Sequence, residues 1–128
     1  MWRESEEKLF KLMQDNPDFP IIPMVDSDVV CDGYGKWKGE IYDCEIREYV
    51  NIVDEFCGYY YSGIYYKNED ERALEEYFVD KVQENIDMDC MNEQREWNEI
   101  DDARRDKEVK EAMEKVKWVK AIFVYIGV

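Results

Sequence analysis

The last nine residues, Lys120-Ala121-Ile122-Phe123-Val124-Tyr125-Ile126-Gly127-Val128, constrain this chain more than any other stretch. They form a nearly unbroken apolar run, rich in β-branched and aromatic side chains. Successive residues of a strand point to opposite faces, so a run without polar alternation needs cover on both sides. The expectation is a central strand, with the rest of the chain supplying its cover.

The first piece of cover is residues 4–16, an amphipathic helix with Leu9, Leu12 and Met13 on one face and Phe10 beside them. Glu4, Glu6 and Glu7 sit at its positive end, and Pro17 stops it, because the residue before proline is pushed out of helical geometry. Ile21 to Val25 is a strand candidate. Pro20 and Pro23 remove ladder donors, so one side of it should be an edge or a bulge. Asp26-Ser27-Asp28 begins like a calcium loop, but Val30 and Trp37 stand where further oxygen ligands belong. Asp32-Gly33-Tyr34-Gly35 reads as a turn.

Residues 36–66 are β-rich. Ile41, Asp43, Glu45, Arg47 and Tyr49 alternate with Tyr42, Cys44, Ile46, Glu48 and Val50, and Tyr42-Cys44-Ile46 is expected to face the core. Residues 51–55 are a second strand or a connection. Tyr59 to Tyr66 is a further strand, its Gly63 suggesting a bulge. Asn68 can then cap a helix with Glu71 reaching back to it, followed by Leu74, Tyr77, Phe78, Val82 and Ile86 at helical spacing. Residues 87–92 look like a break. A second helical stretch runs from Glu93 to about Lys120, marked by Trp97, Ile100, Val109, Ala112, Met113, Val116 and Val119. Within it, residues 101–106 are polar all round, either a solvent-exposed segment or a kink.

At 128 residues with 45% apolar and 15% aromatic content, the chain fits one domain, 1–128. The fold expected is α+β: an N-terminal helix, a mainly antiparallel sheet of about four or five strands, two acidic helices in the C-terminal half, and the C-terminal strand placed centrally. Met1-Trp2-Arg3 leads straight into charged residues, so no secretory signal is expected, and no apolar run approaches the roughly 20 residues of a membrane span. The four cysteines, Cys31, Cys44, Cys57 and Cys90, show no Cys-x-x-Cys spacing, and reduced thiols in a cytoplasmic protein are expected.

Charge bounds the function. There are 32 acids, 17 bases and no histidine, a net charge of −15. Such a surface disfavours direct binding to nucleic acid or anionic membrane and favours a basic partner. The charge is segregated. Residues 69–102 hold fourteen acids (Glu69, Asp70, Glu71, Glu75, Glu76, Asp80, Glu84, Asp87, Asp89, Glu93, Glu96, Glu99, Asp101 and Asp102) against three bases, net −11, whereas residues 103–128 are net +3. On a continuous helix of about 51 Å that is about one carboxylate per 3.6 Å, close to the roughly 3.4 Å between phosphates along one strand of B-DNA. Those acids, with Tyr59, Tyr60 and Tyr61 as aromatic anchors, are the candidate partner-binding residues. No catalytic motif, cofactor loop or metal-ligand spacing is present, so a non-enzymatic role without cofactor or metal is expected.

Three segments, Asn16-Pro17-Asp18-Phe19-Pro20-Ile21-Ile22-Pro23-Met24-Val25-Asp26, Asp32-Gly33-Tyr34-Gly35-Lys36-Trp37 and Lys120-Ala121-Ile122-Phe123-Val124-Tyr125-Ile126, resemble those of small acidic accessory proteins carried by prophages and conjugative elements of gut bacteria. The resemblance covers about half the chain and implies a mobile-element setting in the cytoplasm of a bacterial host. Some small acidic proteins from that setting are anti-CRISPR or antirestriction proteins that occupy the DNA-binding channels of host nucleases. Taken with the −11 segment, that setting gives the expected function, an inhibitor that mimics nucleic acid and blocks a defence nuclease, Cas9-like by preference. The alternative is an interaction module, an immunity protein or adaptor, that binds a basic partner without mimicking DNA. Oligomeric state is left open.

Overall fold

The computed structural model describes residues 3–29, 38–56 and 59–128, and within these all side chains except those of residues 28, 54–56 and 59–62. The 32–35 turn, Cys31 and Cys57 lie outside the described residues. The fold is α+β. In chain order the elements are helix α1 (Glu4–Asp15), strand β1 (Ile21–Val25), a short 3-10 turn (Ser27–Val29), strands β2 (Glu40–Phe56) and β3 (Tyr59–Tyr66), helices α2 (Glu71–Asn92) and α3 (Glu99–Glu114), and strand β4 (Val119–Gly127). The four strands form a mixed sheet in the order β1-β4-β2-β3. The chain divides into two compact units, Met1–Tyr49 with Val119–Val128, and Val50–Trp118.

In the first unit β4 lies between β1, which runs parallel to it, and β2, which runs antiparallel. This is the central placement that its composition requires. Ala121, Ile122, Phe123 and Val124 are all buried, so both faces are covered. On one face Leu9 and Leu12 of α1, with Phe19, Ile41 and Ile126, pack against Cys44, Ile122 and Val124. On the other, Phe123 meets the ring of Tyr49 edge-on at 5.2 Å, an arrangement that adds to the burial itself. Ser5 Oγ donates to the Ile41 carbonyl at 2.7 Å and pins the start of α1. The Arg3–Glu40 and Lys8–Asp43 ion pairs nearby are solvent-exposed and contribute little.

The proline within β1, Pro23, sits where the strand's edge position tolerates it. The Pro20 carbonyl accepts from the Ile122 amide, and the Asp26 amide donates to Ile126. With the two-residue repeat of a strand, the nitrogen of Pro23 then points away from β4, where no ladder donor is needed.

The expected inward trio of β2 is corrected in part: Cys44 is fully buried as expected, whereas Tyr42 and Ile46 are exposed. The register against β4 shifts between Ile41 and Asp43, leaving Tyr42 as an extra residue. Such a bulge inverts the inside–outside alternation across it. Ile41 and Cys44 thereby share the core side, while Tyr42 is 55% exposed and Ile46 is also exposed. Tyr42 instead stacks on Tyr125 and donates to Asp26 Oδ1 at 3.3 Å. Gly127 permits this approach: a Cβ there would meet the Tyr42 ring and Asp26 Oδ2 at 3.0 Å. Residues 51–55 continue β2 rather than connecting it to another strand.

In the second unit α2 and α3 pack antiparallel. Leu74, Ile86 and Cys90 of α2 and Val109 of α3 are buried. Two boundaries differ from the sequence expectation. Asn68 does not cap α2. It adopts a left-handed turn (φ 74°), which asparagine tolerates, and the helix starts after Asp70. Nor does α2 break at residues 87–92. Cys90 continues the inward stripe one turn beyond Ile86, and that contact carries the helix to Asn92.

Candidate interaction surface

The second helix does not begin at Glu93. Gln94 takes a left-handed conformation (φ 53°), and the chain stays non-helical until Asn98 restarts it. The Asn98 side chain accepts from the amides of Ile100 (2.9 Å) and Asp101 (3.2 Å), and the Asp101 carboxylate accepts from the Asn98 amide (2.9 Å). This is a complete capping box, carried by the Asn98-x-x-Asp101 spacing that sequence reasoning passed over. Asn98→Ala is expected to destabilise the protein by about 1 kcal/mol, read as a shift in urea midpoint at constant slope. A change under a few tenths would remove the cap from this account.

Asp101 is the element that organises the elbow. Its side chain is buried (residue 2% exposed) and takes a two-pronged contact from Arg95, Nη1 to Oδ2 at 2.6 Å and Nη2 to Oδ1 at 3.0 Å. Cys90 Sγ lies 3.8 Å from Oδ2. Arg95 also pairs with Glu93. The Arg95 hydrogen bonds, with that from the Asn98 amide, hold the Asp101 carboxyl down to about 2 against its burial. The same contacts raise the Arg95 guanidinium. Because the folded pKa is depressed, this contribution to stability is present above about pH 4 and disappears as pH falls towards about 2. Loss of net negative charge in acid acts on the whole chain, so the comparison is between wild type and Asp101→Asn. Their thermal midpoints should differ clearly at pH 6 and converge by about pH 2; a gap that persists unchanged would contradict the assignment.

The candidate acids therefore separate by role. Asp101 is removed as a contact residue, because a buried, four-donor carboxylate has no free face to offer. Asp89 is half-buried and bonded to Arg104 at 2.7 Å, and Arg104 also reaches Glu108 at 3.3 Å. Asp70 accepts from the Tyr66 amide at 2.8 Å and Glu71 from the Asn68 amide at 3.4 Å, so both serve the start of α2. Asp102 is exposed but accepts from Trp97 Nε1 at 2.7 Å and lies 3.8 Å from Arg105. Residues 101–106 are continuous helix rather than a kink; Asp102, Ala103 and Asp106 are solvent-exposed, whereas Asp101, Arg104 and Arg105 are drawn into contacts with neighbouring side chains. Glu69 and Glu93 are exposed at turns, and Glu96 and Glu99 flank the start of α3. Tyr59, Tyr60 and Tyr61 run through β3, and their side chains lie outside the described residues.

What remains coherent is the outer face of α2. Glu76, Asp80, Glu84 and Asp87 follow at spacings of four, four and three residues, which places them on one side of a helix. All four are exposed, and Glu75 is exposed beside them. Among the described residues only long ion pairs touch this row, Arg72 to Glu76 at 3.6 Å and Lys81 to Glu84 at 3.8 Å. Such exposed pairs are weak and readily exchanged for another cation. The row spans about 16 Å, a mean interval of about 5.5 Å between successive carboxylates. It is sparser than a continuous 69–102 helix would give, because the elbow interrupts that helix and takes Asp89 and Asp101 inward.

No protein-family model, curated protein or solved structure matches this chain. The site is therefore read from its own chemistry. Among the described residues no three acidic, cysteine or histidine side chains gather where a metal could bind, and Asp101 is the one buried charged side chain. No helix among them is long and apolar enough to cross a membrane. The α2 face presents a row of exposed carboxylate acceptors on one side of a helix.

Proposed function

We propose that this protein is a non-enzymatic inhibitor whose acidic α2 face occupies the nucleic-acid channel of a basic partner. The partner class is a bacterial defence nuclease, Cas9-like by preference, as the resemblance to mobile-element accessory proteins implies. The observation that carries this reading is the exposed row Glu76-Asp80-Glu84-Asp87 on one rigid helix in a chain of net charge −15. A channel built to hold phosphates attracts such a row through the same long-range field that draws in DNA.

Competition is the test. Immobilised protein should capture a Cas9-like nuclease from buffer, and capture should fall at least tenfold when the nuclease is first loaded with guide and target duplex. Capture that ignores the nucleic acid would replace the mimic with an adaptor that grips a basic surface elsewhere. No capture of any such nuclease, loaded or empty, would remove the target class.

A further inference from the structure

Two features at opposite ends of the α2–α3 pair complement each other. At one end is a shallow apolar groove of about 400 Å³, lined by Val50, Ile52, Phe78, Ala112 and Val116. Lys115 and Lys117 complete its lining. Both lysines are exposed, and among the described residues neither has a carboxylate within ion-pair distance. In a chain with 32 acids, two unclaimed cations beside an open apolar groove call for a ligand that is both acidic and apolar.

The other end of the same helix pair carries that combination. Met88 and Met91 of α2 and Ile100 of α3 are 58%, 71% and 76% exposed. Asp87, Glu96 and Glu99 are next to or near them in sequence, exposed, and likewise without an ion-pair partner among the described residues. The spans also agree. Phe78 and Met91 stand about 20 Å apart along α2, and Ile100 and Ala112 about 18 Å apart along α3.

We propose that two copies of this chain associate side by side with their α2–α3 pairs reversed, each seating its methionine and acidic end in the other's lysine-flanked groove. A two-fold arrangement makes the contact twice, which is how a modest patch becomes a specific interface. Methionine suits it, being flexible enough to fill a shallow, irregular groove. The net charge of each copy opposes association, so the dimer is weak and forms best near 0.15 M salt, where a screening length of about 8 Å damps the overall repulsion and spares the close pairs. Glu76, Asp80 and Glu84 of the inhibitor reading take no part in it; Asp87 is common to both surfaces, so the variants that test self-association leave Asp87 unchanged.

Sedimentation equilibrium of the full chain decides. At that salt the apparent mass should rise from 15.5 kDa towards twice that value between micromolar and millimolar concentration. Lys115→Glu with Lys117→Glu, and separately Glu96→Lys with Glu99→Lys, should each weaken self-association at least tenfold. An equimolar mixture of the two charge-reversed proteins should recover a dimer. Met91→Ser alters only an exposed side chain, leaves the circular dichroism unchanged, and should also weaken the dimer. A wild-type chain that stays at 15.5 kDa throughout, or a mixture that fails to recover the dimer, overturns the proposal.

Discussion

Phe123→Ala is expected to lower the unfolding free energy by about 3–5 kcal/mol, a large share of the stability of a chain this size. The side chain is fully buried on the central strand and packs edge-on against Tyr49. Removing the ring loses the transfer term for its surface and the aromatic contact, and leaves a cavity in a strand held on both sides by neighbours that limit collapse. Phe10→Ala is the matched comparison. Phe10, on α1, is 43% exposed, and its removal should cost less than half as much. Urea unfolding with unchanged slope is the measurement. Similar effects for the two substitutions would mean that β4 is not the packing centre.

The second large effect concerns binding. Reversing the α2 row (Glu76→Lys, Asp80→Lys, Glu84→Lys and Asp87→Lys together) should weaken capture of the nuclease by roughly 100-fold or more, about 2.7 kcal/mol. Folding should survive, because all four side chains are exposed. The control moves the same amount of charge elsewhere: Asp15→Lys, Asp18→Lys, Glu111→Lys and Glu114→Lys, four exposed acids off the row. If affinity depends on the row, the control binds within a few-fold of wild type. Equal losses would show that total charge, rather than its display on α2, attracts the partner. Raising the salt should weaken the wild-type complex more steeply than the reversed one.

The two sites depend on the same elbow. Arg95, Asn98 and Asp101 end one helix's influence and begin the next within a few residues. That turn sets α3 back along α2, which lets Arg104 reach Asp89 and brings Ala112 near Phe78. The acidic row is left facing outward because the inward positions of α2 are taken by Leu74, Ile86 and Cys90. A charge-rich helix pair thus divides its carboxylates into those that build the turn and those available to a partner.

By itself the sequence determined what depends on neighbours along the chain or on composition. The apolar run 120–128 had to be an interior strand because both of its faces need cover, Pro17 had to end the first helix, and Pro23 had to lie on an edge or at a bulge, of which the structure shows the edge. The acid surplus, and its concentration in residues 69–102, were equally plain. Only the tertiary structure decided what depends on residues far apart. The bulge at Tyr42 follows from register against β4, and the continuity of α2 through residue 92 from the burial of Cys90. Asp101 shows the difference most clearly. In the sequence it is one acid among fourteen, and it leaves the surface because Arg95, on the other side of a turn, supplies the charge and hydrogen bonds that make its burial tolerable.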